Sequence, residues 1–540
     1  MSTADQYDLR HEPWLPCREP DGTVTELGVL PALSRAHHLT GLIGDLPTQT
    51  FALTRLLLAV LHGALRGPRD RAEWKQLWTA PTLPVDRIAE YLDRHRHRFH
   101  LFHPETPFLQ AAGLHTAKGD TSELSKLIAD VPNGLPFFAT RRGELSLTHA
   151  EAARWVVHCN AFDPSGIKTG AVGDPRNKGG RGYPIGVAWS GWLGGLLLEG
   201  DTLKETLLLN LVAADFAACP RDPDLDLPVW ERPPLAAEDE SGHVDQGREP
   251  TGPVDLYTWP SRRIRLFTEG GRVTRVLVAN GNRLSPQNRH LVEPHTAWRR
   301  SPTQEKKASS PVYMPRPHNP DRAIWRGLES LLPAVSSRQS GSGAKGLAPG
   351  IVEWLGHLST GRAIPREHLV RFRAAGVVYG SNASVVDDVV HDTLNLRAGL
   401  AEQGAVAQAE FVRACVQAAE DAALALANLA GDLVAAAGGI GDGPRSRARE
   451  RLYARLDPEF REWLRSVGSD SDTDELRRDW HRRAQRVTQD AADDLLANIS
   501  PACWVGREVR GRPMTAAHAE NRFRISLRTA LPAAYETVSA

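Results

Sequence analysis

The sequence predicts an α+β fold: a large mixed N-terminal domain with small β elements and long loops over 1–388, then a C-terminal four-helix bundle over 389–540. Three observations carry this expectation. An uninterrupted apolar helical run lies near the start, alternating residues around 262–280 read as a β-hairpin, and from about 395 the texture changes to long helices with few breaks. A chain of 540 residues is long enough for two domains, and its 65 basic and 65 acidic side chains cancel. That balance excludes a free-standing histone-like binder and restricts nucleic-acid contacts to local basic loops.

In chain order, "PTQTFALTRLLLAVLHGALRG" carries Pro47 and Thr48 as helix start signals, an apolar face, and Gly67 as a stop. Its apolar core, 51–65, contains Arg55 and His62 and is too short and polar to cross a bilayer. The beginning "MSTADQYDLR" lacks the apolar core of a signal peptide. The five cysteines are far apart and form no C-x-x-C pair, which fits a reducing cytoplasm and removes the usual zinc frameworks. A histidine cluster, His95, His97, His100 and His103, raises a metal-dependent phosphodiesterase as an alternative. No carboxylate or cysteine stands at ligand spacing to complete such a site, so no metal and no other cofactor is expected.

Residues 166–186, "GIKTGAVGDPRNKGGRGYPIG", place seven glycines among Lys168, Arg176, Lys178 and Arg181. Glycine permits positive φ and close approach of main-chain N–H groups, and the interleaved cations point to an anionic ligand such as phosphate. Neither a Walker pattern nor a dinucleotide fingerprint can be read in register. Residues 221–253, dense in proline and acid, read as a long surface excursion. In the hairpin that follows, Arg263 and Arg265 alternate with Ile264 and Leu266, offering arginines on one face, and "TEGG" supplies the turn. Residues 294–317 read as a mobile basic finger carrying Arg299, Arg300, Lys306 and Lys307, and 336–346 as a flexible linker or loop tip.

In the C-terminal part, Phe411, Cys415, Ala419, Ala422, Leu426, Leu429 and Leu433 follow helical spacing. Three further helices are expected at roughly 445–467, 473–498 and 514–531. These segments hold no Glu-x-x-His pair, so a docking surface is expected here in preference to a carboxylate-bridged metal core.

Taken in order, "YDLRHEPWLPC", "GDLPTQTFALTRLLLAVLHGAL", "FHPETPFLQ", the glycine stretch with "GVAWSGW", "DLYTWPSRRIRL", "VEPHTAW", "IWRGLESLLP" and the C-terminal helices resemble the large-subunit (CasA) family of the type I-E CRISPR Cascade effector complex. The resemblance implies a non-catalytic, cytoplasmic subunit that sits beside the 5′ end of the guide RNA. It also implies inspection of double-stranded DNA for the short flanking PAM, help in opening the duplex, and recruitment of a helicase-nuclease. Its partners would be the other Cascade subunits, guide RNA, target DNA and that nuclease, with no membrane. A purely architectural RNA- or protein-binding subunit is the other reading.

By the same resemblance, the family's glycine loop falls on Thr169, Gly170, Ala171 and Gly173. Its lysine finger falls on Lys306 and Lys307, with Arg299 and Arg300 as rivals. The duplex wedge falls on Ser381, Asn382 and Ala383, and a loop anchoring to RNA and neighbouring subunits on Phe138, Ala139 and Thr140. The wedge here is shorter than the family's and lacks its glutamine, and the paired cysteines of some members are missing. Such parts suit minor-groove reading: the groove is narrow, its pattern is degenerate, and main-chain atoms or a flexible lysine reach its acceptors where bulky side chains do not.

Overall fold

The computed structural model describes residues 7–129, 145–238, 247–333, 346–468, 471–509 and 511–536. These fall into two compact units. One takes the described residues of 1–324, 336–364 and 370–393; the other takes those of 325–335, 365–369 and 394–540. Helices and small antiparallel sheets of two or three strands alternate along the chain, as expected of a mixed fold.

The first unit is built around the helix Pro47–Leu65, which has proline at its start and ends where Arg66 turns left-handed at φ 50°. It is buried on nearly every side and packs against the helices Val85–Arg94 and His149–Phe162. Burial on all sides leaves Arg55 with no route to water, so its guanidinium donates to Glu293 at 2.8 Å, which also accepts from Trp189 Nε1 at 2.6 Å. A buried charge requires such pairing, because an isolated ion in this environment would be far more costly.

The second helix of this core, His149–Phe162, opens with a reciprocal cap between Thr148 and Glu151. It closes at Asp163, from which the glycine-rich stretch departs. The expected hairpin forms as Arg262–Glu269 paired with Arg272–Asn280 across Gly270 and Gly271, both at positive φ. Arg262 and Arg263 do not join a presented face, although Arg272 and Arg275 nearer the turn are exposed. Arg263 is fully buried and donates to the carbonyls of Ala236 and Pro260 and to Asn282, while Arg262 binds Asp163. Alternation located the strands, but both faces of this ribbon are covered at that end, so the polar members turned inward.

Two other loop expectations are also corrected. The described parts of 221–253 are anchored to the core: Asp226 accepts the amides of Val254 and Asp255, and Arg98 donates to the carbonyls of Val229 and Arg232. The supposed mobile finger is an ordered strand, helix and strand, Trp298–Arg300, Pro302–Ala308 and Tyr313–Pro315, with the strands paired antiparallel. The linker expected over 336–346 lies outside the described residues except for Gly346.

In the second unit the helix Val406–Ala436 buries the stripe from Phe411 to Leu433 and packs against Asp442–Leu464, Thr473–Ala497 and Ala516–Ala530. Aromatic rings fill the middle: Trp325 stacks on Phe460 with centroids 4.4 Å apart, and Phe460 meets Trp480 edge-on at 5.0 Å. Among the described residues no helix is long and apolar enough to cross a membrane.

Candidate nucleic-acid interface

The glycine-rich stretch folds into a miniature three-stranded sheet of Lys168–Thr169, Arg181–Gly182 and Asn177–Lys178. Its cations divide into two kinds. Lys168 is largely shielded from solvent and paired with Asp163 at 2.5 Å, and desolvation pushes its pKa down. Arg176 is equally internal, held by Asp174 at 2.9 Å while donating to the carbonyls of Gly281 and Asn280. Arg176 fastens the stretch to the hairpin end at Asn280, which itself donates to the carbonyl of Tyr183 at 2.7 Å, and Lys168 ties it to Asp163 at the end of the preceding helix. Lys178 and Arg181, by contrast, are exposed and face each other across the two-residue turn Gly179–Gly180, whose φ values are 61° and 77°. Such a turn requires positive φ at both central positions, which explains the paired glycines. No atom lies within 4 Å of where a Cβ would stand on either, so the tip projects into open space.

Of the residues mapped to the glycine loop, Thr169 is half-buried, and Gly170 and Ala171 are buried. Gly170 donates its amide to Gly180 at 3.0 Å, and a Cβ there would stand 2.5 Å from the Gly180 carbonyl carbon. Its glycine therefore serves the approach of its own backbone, and the amide is not free for a base edge. Gly173 is exposed at φ 91° beside exposed Val172.

Ser381, Asn382 and Ala383 form the tip between the strands Leu369–Tyr379 and Val386–Arg397. Asn382 and Ala383 have φ of 55° and 53°. For alanine this left-handed conformation costs about 1–2 kcal/mol, so surrounding contacts must impose it. One such contact is visible. The amide of Ser165 donates to the carbonyl of Ala383 at 2.7 Å, and Tyr379 Oη donates to the carbonyl of Phe162 at 2.6 Å. Thus the root of the glycine stretch and the strained tip are joined, although they lie far apart in sequence. Asp387 and Asp388, exposed just beyond the tip, would repel a phosphate backbone.

Lys306 and Lys307 stand exposed on the short helix Pro302–Ala308, and Arg299 is exposed on the preceding strand. Arg300 differs: Glu305 grips its guanidinium at 2.7 and 2.8 Å, which raises its pKa and lowers that of Glu305. This element is anchored separately, through Asn288 to Tyr313. Phe138, Ala139 and Thr140 lie outside the described residues.

The histidine cluster does not converge. His103 Nδ1 accepts the amides of Glu105 and Thr106, and the rings of His97 and His100 lie 6.5 and 6.3 Å from that of His103. Among the described residues no three potential ligands come together, so the phosphodiesterase reading has no support in this arrangement.

The profile of the CRISPR-associated protein Cse1 family matches residues 8–491. The chain belongs to the Cse1 family. Cse1 of Thermobifida fusca, in a crystal structure, is 44% identical, with a TM-score of 0.91 covering 98% of this chain and 99% of that one. CasA/Cse1 of Thermus thermophilus is 35% identical over 342 residues, a match spanning 62% of this chain and 61% of that relative's length. At 21% identity, a chain in a structure named CRISPR RNA-guided surveillance complex shares the Cse1 fold, with a TM-score of 0.65 over 91% of this chain and 99% of that one.

Sequence reading took the four cations of this stretch together and missed that only Lys178 and Arg181 are exposed. The Lys-Gly-Gly-Arg order was the available signal, since paired glycines between two polar residues mark a tight hairpin turn.

Proposed function

We propose that this chain is a non-catalytic subunit of a CRISPR RNA-guided surveillance complex that inspects double-stranded DNA beside the target and helps open it. The observation that carries the reading is the bond from Ser165 to Ala383, which couples a glycine-rich, cation-tipped sheet to a strained hairpin tip. In this reading the exposed tip at Lys178 to Arg181, with Gly173, enters or lines the minor groove. Lys306 and Lys307, with Arg299, meet phosphate or groove acceptors. Ser381 and Asn382 then occupy the position of the first separated base pair, where nearby Asp387 and Asp388 keep phosphates away.

Reading through main chain and lysine tolerates several flanking sequences, while the target itself is left to guide pairing. Unstacking costs a few kcal/mol per step, supplied by contacts to the flanking duplex. Phe138, Ala139 and Thr140 would anchor the chain near the 5′ end of the guide and its neighbouring subunits. The C-terminal helices, in this reading a four-helix bundle over 389–540, would serve recruitment of the helicase-nuclease.

The test uses the assembled complex on a matched duplex with 2-aminopurine at the first target base pair. Asn382→Gly keeps the left-handed backbone and removes the side chain, and is expected to slow the fluorescence rise that reports opening. An unchanged rise in Asn382→Gly combined with Ser381→Ala would remove the wedge assignment.

A further inference from the structure

The second unit contains a cavity of about 820 Å³ between three of its helices. Its floor is the line Leu426, Ala430 and Leu433 on Val406–Ala436 with Ala437 at the helix cap, spanning roughly 16 Å at the helical rise. One wall presents Ala448 between Arg447 and Arg451, and the other presents Leu495 and Ile499. At the end of this groove the chain leaves three large apolar side chains in solvent, Ile440 at 85%, Trp504 at 62% and Val505 at 84% exposed. Ile440 follows the lining residue Gly439, Trp504 follows the lining residue Cys503, and Val505 comes next after Trp504. Apolar exposure concentrated beside an apolar cavity marks an interaction surface.

Charge identifies the occupant. The first turns of Asp442–Leu464, "DGPRSRARERLYAR", carry Arg445, Arg447, Arg449, Arg451 and Arg455 against only Asp442 and Glu450. The dipole acts only on the first turn, which ends near Arg445, but five arginines along one stretch also repel one another, a repulsion that a facing anion relieves. Two have one inside the chain: Arg445 faces Asp432 at 3.6 Å and Arg455 pairs with Asp494 at 2.7 Å. Arg447 and Arg451 are exposed on the cavity rim, one helical turn apart, and no ion pair to either is found among the described residues. We propose that this groove receives an amphipathic helix of a partner protein, apolar along one face and acidic along the flank that meets Arg447 and Arg451. Nucleic acid fits less well, because a phosphate backbone satisfies the arginines but leaves the apolar floor and the exposed Trp504 uncovered. A helix of about three turns matches the length of the floor and satisfies both.

A displayed library of helical peptides, screened against the full chain, tests this independently of the DNA reading. Enriched peptides are expected to carry apolar residues at i, i+3, i+4 and i+7 with Asp or Glu on one flank. Their affinity is expected to fall at least tenfold in Arg447→Glu/Arg451→Glu and to hold in Arg449→Glu, an exposed substitution off the lining. Enrichment of basic peptides, no enrichment, indifference to the double substitution, or displacement of the acidic peptide by a short DNA duplex would each overturn the proposal.

Discussion

Lys168 and Lys178 belong to one glycine-rich stretch, yet one is internal and the other meets solvent. Lys168 shares the carboxylate of Asp163 with Arg262, all three largely out of water. Asp163→Ala would strand two buried cations, so a loss of about 3–5 kcal/mol in unfolding free energy is expected by denaturant titration. Lys178→Ala/Arg181→Ala touches exposed groups only. Its unfolding midpoint should stay within about 0.5 kcal/mol of the parent, while DNA binding by the assembled complex weakens. If both contact phosphates, the slope of log K against log salt should shallow by roughly 1.8, since each contact contributes about 0.9. A shallower slope with unchanged flank preference assigns them to the backbone; lost preference with an unchanged slope assigns them to base edges.

At the level of elements, the miniature sheet depends on Gly170. An added Cβ would meet main-chain atoms of Gly180 and Arg181 at 2.5 and 2.7 Å, and backbone cannot yield as a flexible side chain does. Gly170→Ala is therefore expected to destabilise by about 1–3 kcal/mol through collision and to raise hydrogen exchange at 168–182, whereas Gly173→Ala meets only Ala237 at 3.7 Å and is expected to cost about 1–2 kcal/mol through its φ of 91° alone.

Helices and the hairpin were legible because periodicity reports which face is buried: the stripe from Phe411 to Leu433 and the strands around Ile264 both follow it. What periodicity does not report is where a charged residue's partner lies. Arg263 is satisfied by carbonyls of Ala236 and Pro260 and by Asn282, Lys168 by Asp163, and Arg300 by Glu305; local composition alone gave each the look of a surface cation. The joint between Ser165 and Ala383 was invisible for the same reason, being a main-chain bond between segments distant in sequence. The left-handed pair Asn382 and Ala383 left only a weak trace, asparagine in a short turn.

For the whole molecule, buried histidines weaken the fold in acid, while Asp226 and Glu353, which burial raises to about 6, oppose them between about pH 6 and 4. Burial pushes His158 down to about 3, His295 to about 4 and His481 to about 4, from an ordinary 6.5. Each is held neutral in the folded chain; the ring of His481, for example, accepts the amide of Ala533 at 3.3 Å. A folded pKa below the unfolded one means that this stability is complete above about pH 6.5 and is lost progressively as pH falls toward about 4. Melting temperature is expected to be flat from pH 8 to 7 and to decline below about 6.5, with His481→Gln flattening part of the decline. A pH profile left unchanged by His481→Gln would contradict the neutral burial of that ring.

The most direct measurement compares guide-loaded complex with and without this chain on duplexes that carry one matched target beside a randomised flank, sequencing the bound fraction. Flank preference present only with the chain, and lost in Lys178→Ala/Arg181→Ala or in Lys306→Ala/Lys307→Ala, is the expected result. Equal indifference to the flank in both samples would contradict DNA inspection and leave the chain an assembly subunit.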